Sequence, residues 1–295
     1  MKSNVRFYRS EKHCGIDGQR SWTMQRSYWN ISECPFGMQQ RDRYFFFSPT
    51  HDEALARLGF LVESGQALGI LAGYEGTGRT MVLERFARDM RRQGHSVCSI
   101  NLVGLDQHDF LWTLAAGLGG NPRAHDEGFS LARRIQDRLR ADALTDRTTI
   151  LILDDAEQAS HEVLTQILRL LKTHSCHLTL ILAIESSRMA RLGTDLLQLS
   201  QLRIRLEPWD HEDICQYLQT GLAQVGCQRT IFEESATERL AELTDGIPRW
   251  VSQLAELALL AAASQHRQSV DGRIIEEVYQ QLSASFEEDL QAATY

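Results

Sequence analysis

The chain has 295 residues, 43% of them hydrophobic, and a formal net charge of −8. That is enough apolar material for one large or two ordinary domains, which excludes a disordered chain; the acidic balance excludes a protein that simply coats nucleic acid by charge. Six cysteines without C-x-x-C spacing fit small core residues in a reducing cytoplasm, and neither an 18-residue apolar run nor a leading apolar export segment is visible.

Residues 1–23 are polar and unpatterned and are expected to form a disordered extension. The text changes at Met24, where Ser27-Tyr28-Trp29-Asn30, Pro35-Phe36 and Arg43-Tyr44-Phe45-Phe46-Phe47-Ser48-Pro49 follow in succession. Aromatic side chains in such number need a surface to cover, either as a flap facing a base or a domain boundary, or as plain core. Ser48 or Thr50 can cap a helix over about 52–64 that places Ala54, Leu55, Leu58, Leu61 and Val62 on one face.

An apolar run at 68–72 then enters Gly73-Tyr74-Glu75-Gly76-Thr77-Gly78-Arg79-Thr80, and a helical pattern over 80–92 starts at once. Strand, glycine-rich turn and helix in this order predict a phosphate loop, since the glycines let successive N–H groups converge on phosphate at a positive helix end. Thr80 stands where a hydroxyl would reach Mg²⁺. The pattern G-x-x-x-x-G-K-[ST] is met except at Arg79, in a chain whose only lysines are Lys2, Lys12 and Lys172.

Further strands are predicted near 96–102, 148–155, 178–184 and 202–206, with helices near 107–118, 130–143, 161–173 and 188–199 between them. Each strand reads as a continuous apolar run, which predicts a parallel sheet covered on both faces. Thr148-Thr149-Ile150-Leu151-Ile152-Leu153 ends in Asp154 and Asp155. A carboxylate there can hold Mg²⁺, and its neighbour can orient a water. His174-Ser175-Cys176-His177 has no second ligand pair at finger spacing, so no metal centre is expected of it. After Pro208 the pattern is helical only, near 211–225, 233–243, 248–263 and 271–282; the stretch 254–263 is apolar nearly all round and is expected at the centre of a bundle.

Taken with Ser48-Pro49-Thr50-His51-Asp52-Glu53-Ala54-Leu55-Ala56-Arg57-Leu58 and Gly246-Ile247-Pro248-Arg249, the sequence resembles the AAA+ ATPases, in particular the branch named for general secretion pathway protein A, over about 27–282. The resemblance implies an α/β fold: an αβα sandwich with about five parallel strands at 24–207, a helical lid at 208–283 and a tail at 284–295. It implies ATP and Mg²⁺ at the junction of core and lid. Gly73, Tyr74, Glu75, Gly76, Thr77, Gly78, Arg79, Thr80 and Met81 would face the nucleotide, as would Arg249 from the lid. Thr80 and Asp154 would hold the metal, Asp155 would activate water, Glu185 would occupy the position of a polar sensor, and Arg203 would act across a subunit boundary in a homo-oligomer.

Three departures from the family pattern predict slow hydrolysis. Arg79 is bulkier than lysine and forked. Asp155 replaces glutamate and draws its carboxylate back by one methylene, and Glu185 adds negative charge where a neutral group is usual. The rival readings are a scaffold that binds nucleotide without hydrolysing it, with a protein partner unidentified, and a transposition- or origin-type regulator acting on DNA. For the last, no DNA-binding appendage is visible. In the strand order that the resemblance implies, the strand ending at Ile184 lies between the strand before the loop and the strand ending at Asp154, so Arg79, Asp155 and Glu185 come to one end of the sheet; there Arg79 either pairs with Glu185 or Asp155, or stays unpaired while Glu185 turns to solvent.

Overall fold

The computed structural model describes residues 26–36, 46, 48–173 and 177–292, with the backbone alone for 285–292. Two compact units divide the chain: Pro49–Glu207 is one, and the flanking stretches, up to Ser48 and from Pro208 onward, make the other.

The first unit is built on five strands, β1 (Leu68–Gly73), β2 (Ser96–Asn101), β3 (Thr149–Asp154), β4 (Leu178–Glu185) and β5 (Leu202–Leu206), all parallel in the order β2-β3-β4-β1-β5. As the sequence predicts, β1, β3 and β4 are buried along both faces. The two edges differ from that expectation. Ser96-Val97-Cys98-Ser99-Ile100-Asn101 and Leu202-Arg203-Ile204-Arg205-Leu206 expose alternate residues, because an edge strand has only part of its surface covered.

Helices α1 (Pro49–Glu63), α2 (Arg79–Arg92), α3 (Gln107–Gly117), α4 (Gly128–Leu144), α5 (His161–Thr173) and α6 (Gly193–Leu199) flank the sheet. On one face Leu68, Ile70, Leu151, Leu153, Leu180 and Leu182 pack with Phe110, Leu114, Ile135 and Ile167. Each such side chain contributes roughly 1.5–3 kcal/mol when fully buried. The other face receives α1: a Cβ on Gly69 would stand 2.6 Å from Leu61 Cδ2. The helix expected over 188–199 is broken. Ser186–Leu192 winds as a 3₁₀ helix, and Gly193, at φ 76, ends it and is the first residue of α6.

The second unit holds α7 (His211–Gln224), α8 (Glu234–Thr244), α9 (Pro248–Ser264) and α10 (Gly272–Ala292). Asp210 caps α7 by accepting from Asp213 N–H at 2.8 Å. Val251, Leu254, Ala255, Ala258, Leu259 and Ala262 of α9 are buried, as the unbroken apolar run predicts. Helix α10 runs on through the stretch expected to be a tail, and its sequence from Arg273 to Ala292 contains no glycine or proline to stop it.

The early aromatic segment groups with these helices rather than with the sheet. Trp29 is fully buried and donates its indole N–H to Leu259 O at 3.1 Å; Phe36 lies against Tyr217 and Phe232, and Phe46 meets Trp209 and Tyr217 edge-on. Of the two roles considered for them, the described aromatics serve as core of the second unit; Tyr44, Phe45 and Phe47 lie outside the described residues, as do 1–25 and His174–Cys176. A tight crossing holds this unit together at its entry: Gly246, at φ 68, accepts from Trp209 N–H at 2.8 Å.

In α9, Glu256 lies with Oε1 3.5 Å from Cys34 Sγ. Burial pushes its carboxyl above the usual range, opposed by the S–H donor of Cys34. A raised folded-state value means that its contribution to stability is full below about pH 4.3 and is lost as pH rises through that raised value. Glu256→Gln should therefore raise the melting temperature at pH 8 and leave it nearly unchanged at pH 4. Melts that shift equally at both pH values would refute this.

Candidate nucleotide site

The site grows from the end of β1. Gly76 (φ 88) and Gly78 (φ 94) take left-handed conformations that turn the chain from strand into α2. Thr77 is buried and ties the turn to itself, its N–H and its hydroxyl both donating to Tyr74 O at 3.3 and 2.8 Å. From α1, the buried His51 donates Nε2–H to Thr77 O at 2.9 Å, and a Cβ on Gly78 would come within 3.0 Å of the same ring nitrogen. His51 thus braces the loop from beneath, a role that a lone histidine in a helical pattern did not signal.

Helix α2 opens at Arg79 with Gly78 as its cap and no side chain closing its first turn. The amides of Arg79, Thr80 and Met81 therefore have no carbonyl one turn earlier in the helix and stand at its positive end. The Arg79 side chain is only 10% exposed. Its Nη1 is buried with no hydrogen-bond partner, and its Nη2 lies 3.6 Å from Asp155 Oδ1 and 3.8 Å from Glu157 Oε1.

The acidic side comes from β3, in register with its neighbours: Asn101 of β2 stands opposite Asp154. Thr80 donates its hydroxyl to Asp154 Oδ2 at 2.8 Å, and Asp155 N–H donates to Oδ1 at 3.0 Å. Burial raises the Asp154 carboxyl above its ordinary range, the Thr80 hydrogen bond lowers it, and the charge of Asp155 raises it further. Asp155, at φ 54, accepts from Asn101 Nδ2 at 2.8 Å, and Asn101 Oδ1 accepts Val103 N–H, which fixes the amide's orientation.

The expected pairing of Arg79 is corrected in one partner. Glu185 stands opposite Gly73 in the register, but its carboxylate turns to Arg188 Nε at 2.9 Å and to Ser187 Oγ. The carboxylate near Arg79 besides Asp155 is Glu157, which no sequence signal singled out. It is buried in the 3₁₀ turn Ala156–Gln158, accepts Glu185 N–H at 3.2 Å on Oε2, and takes Arg191 Nη1 on its backbone oxygen at 2.8 Å. Arg203 folds back on its own unit, donating to Ser200 Oγ at 2.9 Å and to Leu197 O. Arg249 follows Pro248 in the first turn of α9, in the second unit. Tyr74 and Glu75 sit exposed on the loop.

These residues fit a Mg²⁺-bound phosphate chain. The loop amides and the orphaned Nη1 of Arg79 suit phosphate oxygens, and the hydroxyl–carboxylate pair of Thr80 and Asp154 offers the hard oxygen donors that Mg²⁺ prefers.

Residues 62–192 match the family model described as AAA domain. The chain is 29% identical over 247 residues to general secretion pathway protein A of Aeromonas hydrophila, covering 81% of this chain and 45% of that protein, so it spans just under half the relative's length. Among solved structures it resembles Cdc6p from Pyrobaculum aerophilum (TM-score 0.62, 18% identity, 80% of this chain and 67% of that one). It also resembles the RuvB Holliday junction branch migration motor of Thermotoga maritima (TM-score 0.55, 15% identity, 84% and 72%). At these identities the structures speak for the fold alone. No helix among the described residues is long and apolar enough to cross a membrane. Residues 62–192 thus match an AAA domain, the chain is similar over most of its length to general secretion pathway protein A, and its five-stranded α/β unit has the fold of its AAA+ structural neighbours.

Proposed function

We propose that this protein binds Mg-ATP at the loop Gly73–Thr80 and hydrolyses it slowly, in the cytoplasm, coupling nucleotide to a change of conformation or of partner. The observation that carries the reading is the buried Arg79 guanidinium, with one nitrogen unpartnered, set at the start of α2 beside the Thr80–Asp154 oxygen pair. Loop amides would cradle the phosphates, and Thr80 with Asp154 would hold Mg²⁺, which neutralises charge on the transferring phosphoryl group when bound. Asp155 would orient the attacking water; Asn101 holds its carboxylate in place. Arg203 as a trans-acting arginine in a homo-oligomer, Glu185 as a sensor and Arg249 as a second phosphate-facing arginine have the family resemblance as their support.

Titrating ATP with and without Mg²⁺ while following turnover at rising protein concentration tests this. Affinity should depend on Mg²⁺, turnover per chain should rise with concentration, and Thr80→Ala should weaken Mg-ATP binding about tenfold. Equal affinity with and without Mg²⁺ would count against the assignment. The non-hydrolysing scaffold has an observation of its own. The shortened Asp155 is already engaged by Asn101 and lies near Arg79, so the group that should activate water is tied up on both sides. Tight Mg-ATP binding with no turnover at any protein concentration would select the scaffold.

A further inference from the structure

We infer that Glu157 is an acidic latch on Arg79, a counter-charge from which an incoming phosphate must take the guanidinium, so that Glu157 sets the threshold for nucleotide binding. This rests on the Mg-ATP reading above.

A guanidinium this deeply buried requires a nearby anion, because an uncompensated charge away from water is costly. Two carboxylates answer. Asp155 is 31% exposed, and its other oxygen is taken by Asn101. Glu157 is 5% exposed and fixed from two further directions, by Glu185 N–H on its second carboxylate oxygen and by Arg191 on its backbone oxygen. It therefore cannot swing away without disturbing the end of β4 and the 3₁₀ helix after it.

Neither ion pair is at hydrogen-bonding distance, and Nη1 has no acceptor at all. The carboxylates neutralise Arg79 without satisfying its fork. A phosphate offers paired oxygens that would do both, so the guanidinium is poised to move from Glu157 to ligand. The same carboxylate links the loop cation to the strand that carries Glu185, so departure of Arg79 alters the charge balance on that strand end as well.

The test uses the full chain and calorimetric titration with Mg-ATP. Glu157→Gln keeps an oxygen for Glu185 N–H and removes the charge; it should tighten Mg-ATP binding about tenfold. In an Arg79→Gln background the same change should bring no gain, because the latch acts through Arg79. Melting of the nucleotide-free protein gives a second measure that needs no ligand. Glu157→Gln alone should lower the melting temperature, and the double variant should recover part of the loss. Unchanged or weaker binding in Glu157→Gln overturns the inference while leaving the ATP reading intact. An equal gain in the Arg79→Gln background overturns it too, since Glu157 would then simply repel phosphate. Mg-ATP binding by none of the variants, wild type included, overturns the ATP reading and the latch with it.

Discussion

Asp154→Asn should remove nearly all of the Mg²⁺-dependent gain in ATP affinity and reduce turnover at least about 100-fold, while the protein stays folded. The carboxylate takes the Thr80 hydroxyl at 2.8 Å, and on the proposed Mg-ATP reading it would also present charge to the cation, two tasks that an amide cannot combine. Its own fold gains little from that charge. Burial holds the Asp154 carboxyl above its ordinary range, so in metal-free protein its contribution to stability is full below about pH 3.9 and is lost as pH rises through the raised value. The asparagine variant is accordingly expected to melt at or above the wild-type temperature at pH 7.5 without Mg²⁺. Lost function with retained stability would mark a carboxylate kept for the metal. Turnover within about threefold of wild type would place Mg²⁺ elsewhere.

Gly246→Ala should be strongly destabilising, more so than a methyl added at any glycine with open space around its Cβ. A Cβ at that position would stand 2.0 Å from Trp209 O, a backbone atom that no side-chain rotation can move aside. The residue also has φ 68, and the Trp209 N–H bond to its carbonyl would be strained or lost. Left-handed strain, overpacking and a weakened hydrogen bond together cost about 3 kcal/mol or more. Gly226→Ala is the matched control: φ is 93, but nothing lies within 4 Å of its Cβ, so only backbone strain of about 1 kcal/mol is expected. Chemical denaturation of both variants checks the contrast, and equal losses would show that the close approach to Trp209 is relieved cheaply.

How much of this could be read from residues alone varies with the range of the interaction. The phosphate loop was legible because its glycines, its strand and its helix are contiguous, and Asp154 because it terminates an apolar run. The family resemblance implies that the strand ending at Ile184 lies between the strand before the loop and the strand ending at Asp154, and the observed β3-β4-β1 neighbours agree. Asn101 and Glu157 were not legible. A polar residue closing a strand and an acid two positions past Asp155 look like ordinary turn residues until the sheet sets them beside the site. Asn101 had one usable signal: it ends a strand whose neighbour ends in Asp154, so strand order applied to every carboxyl end would have found it. Glu185 misled for the opposite reason. Its backbone position was correctly placed, but Arg188, one 3₁₀ turn away, gives its carboxylate a closer partner than Arg79. Gly193 shows the same limit for helices, since an amphipathic pattern continues across a left-handed residue that the backbone cannot pass as regular helix.

Trp29 and Leu259, joined by the indole hydrogen bond, are 230 positions apart in the chain. On a ribosome adding about 5–20 residues per second, Trp29 waits roughly 10–50 s for its acceptor to be made. In that interval all of Pro49–Glu207 is synthesised and has its own core to close around. The order of synthesis and the order of docking thus differ for this segment: it is made before Pro49–Glu207 and cannot dock until α9 has followed. Until then Trp29, Ile31 and Phe36, all destined for the interior of the second unit, present apolar surface to whatever binds nascent chains.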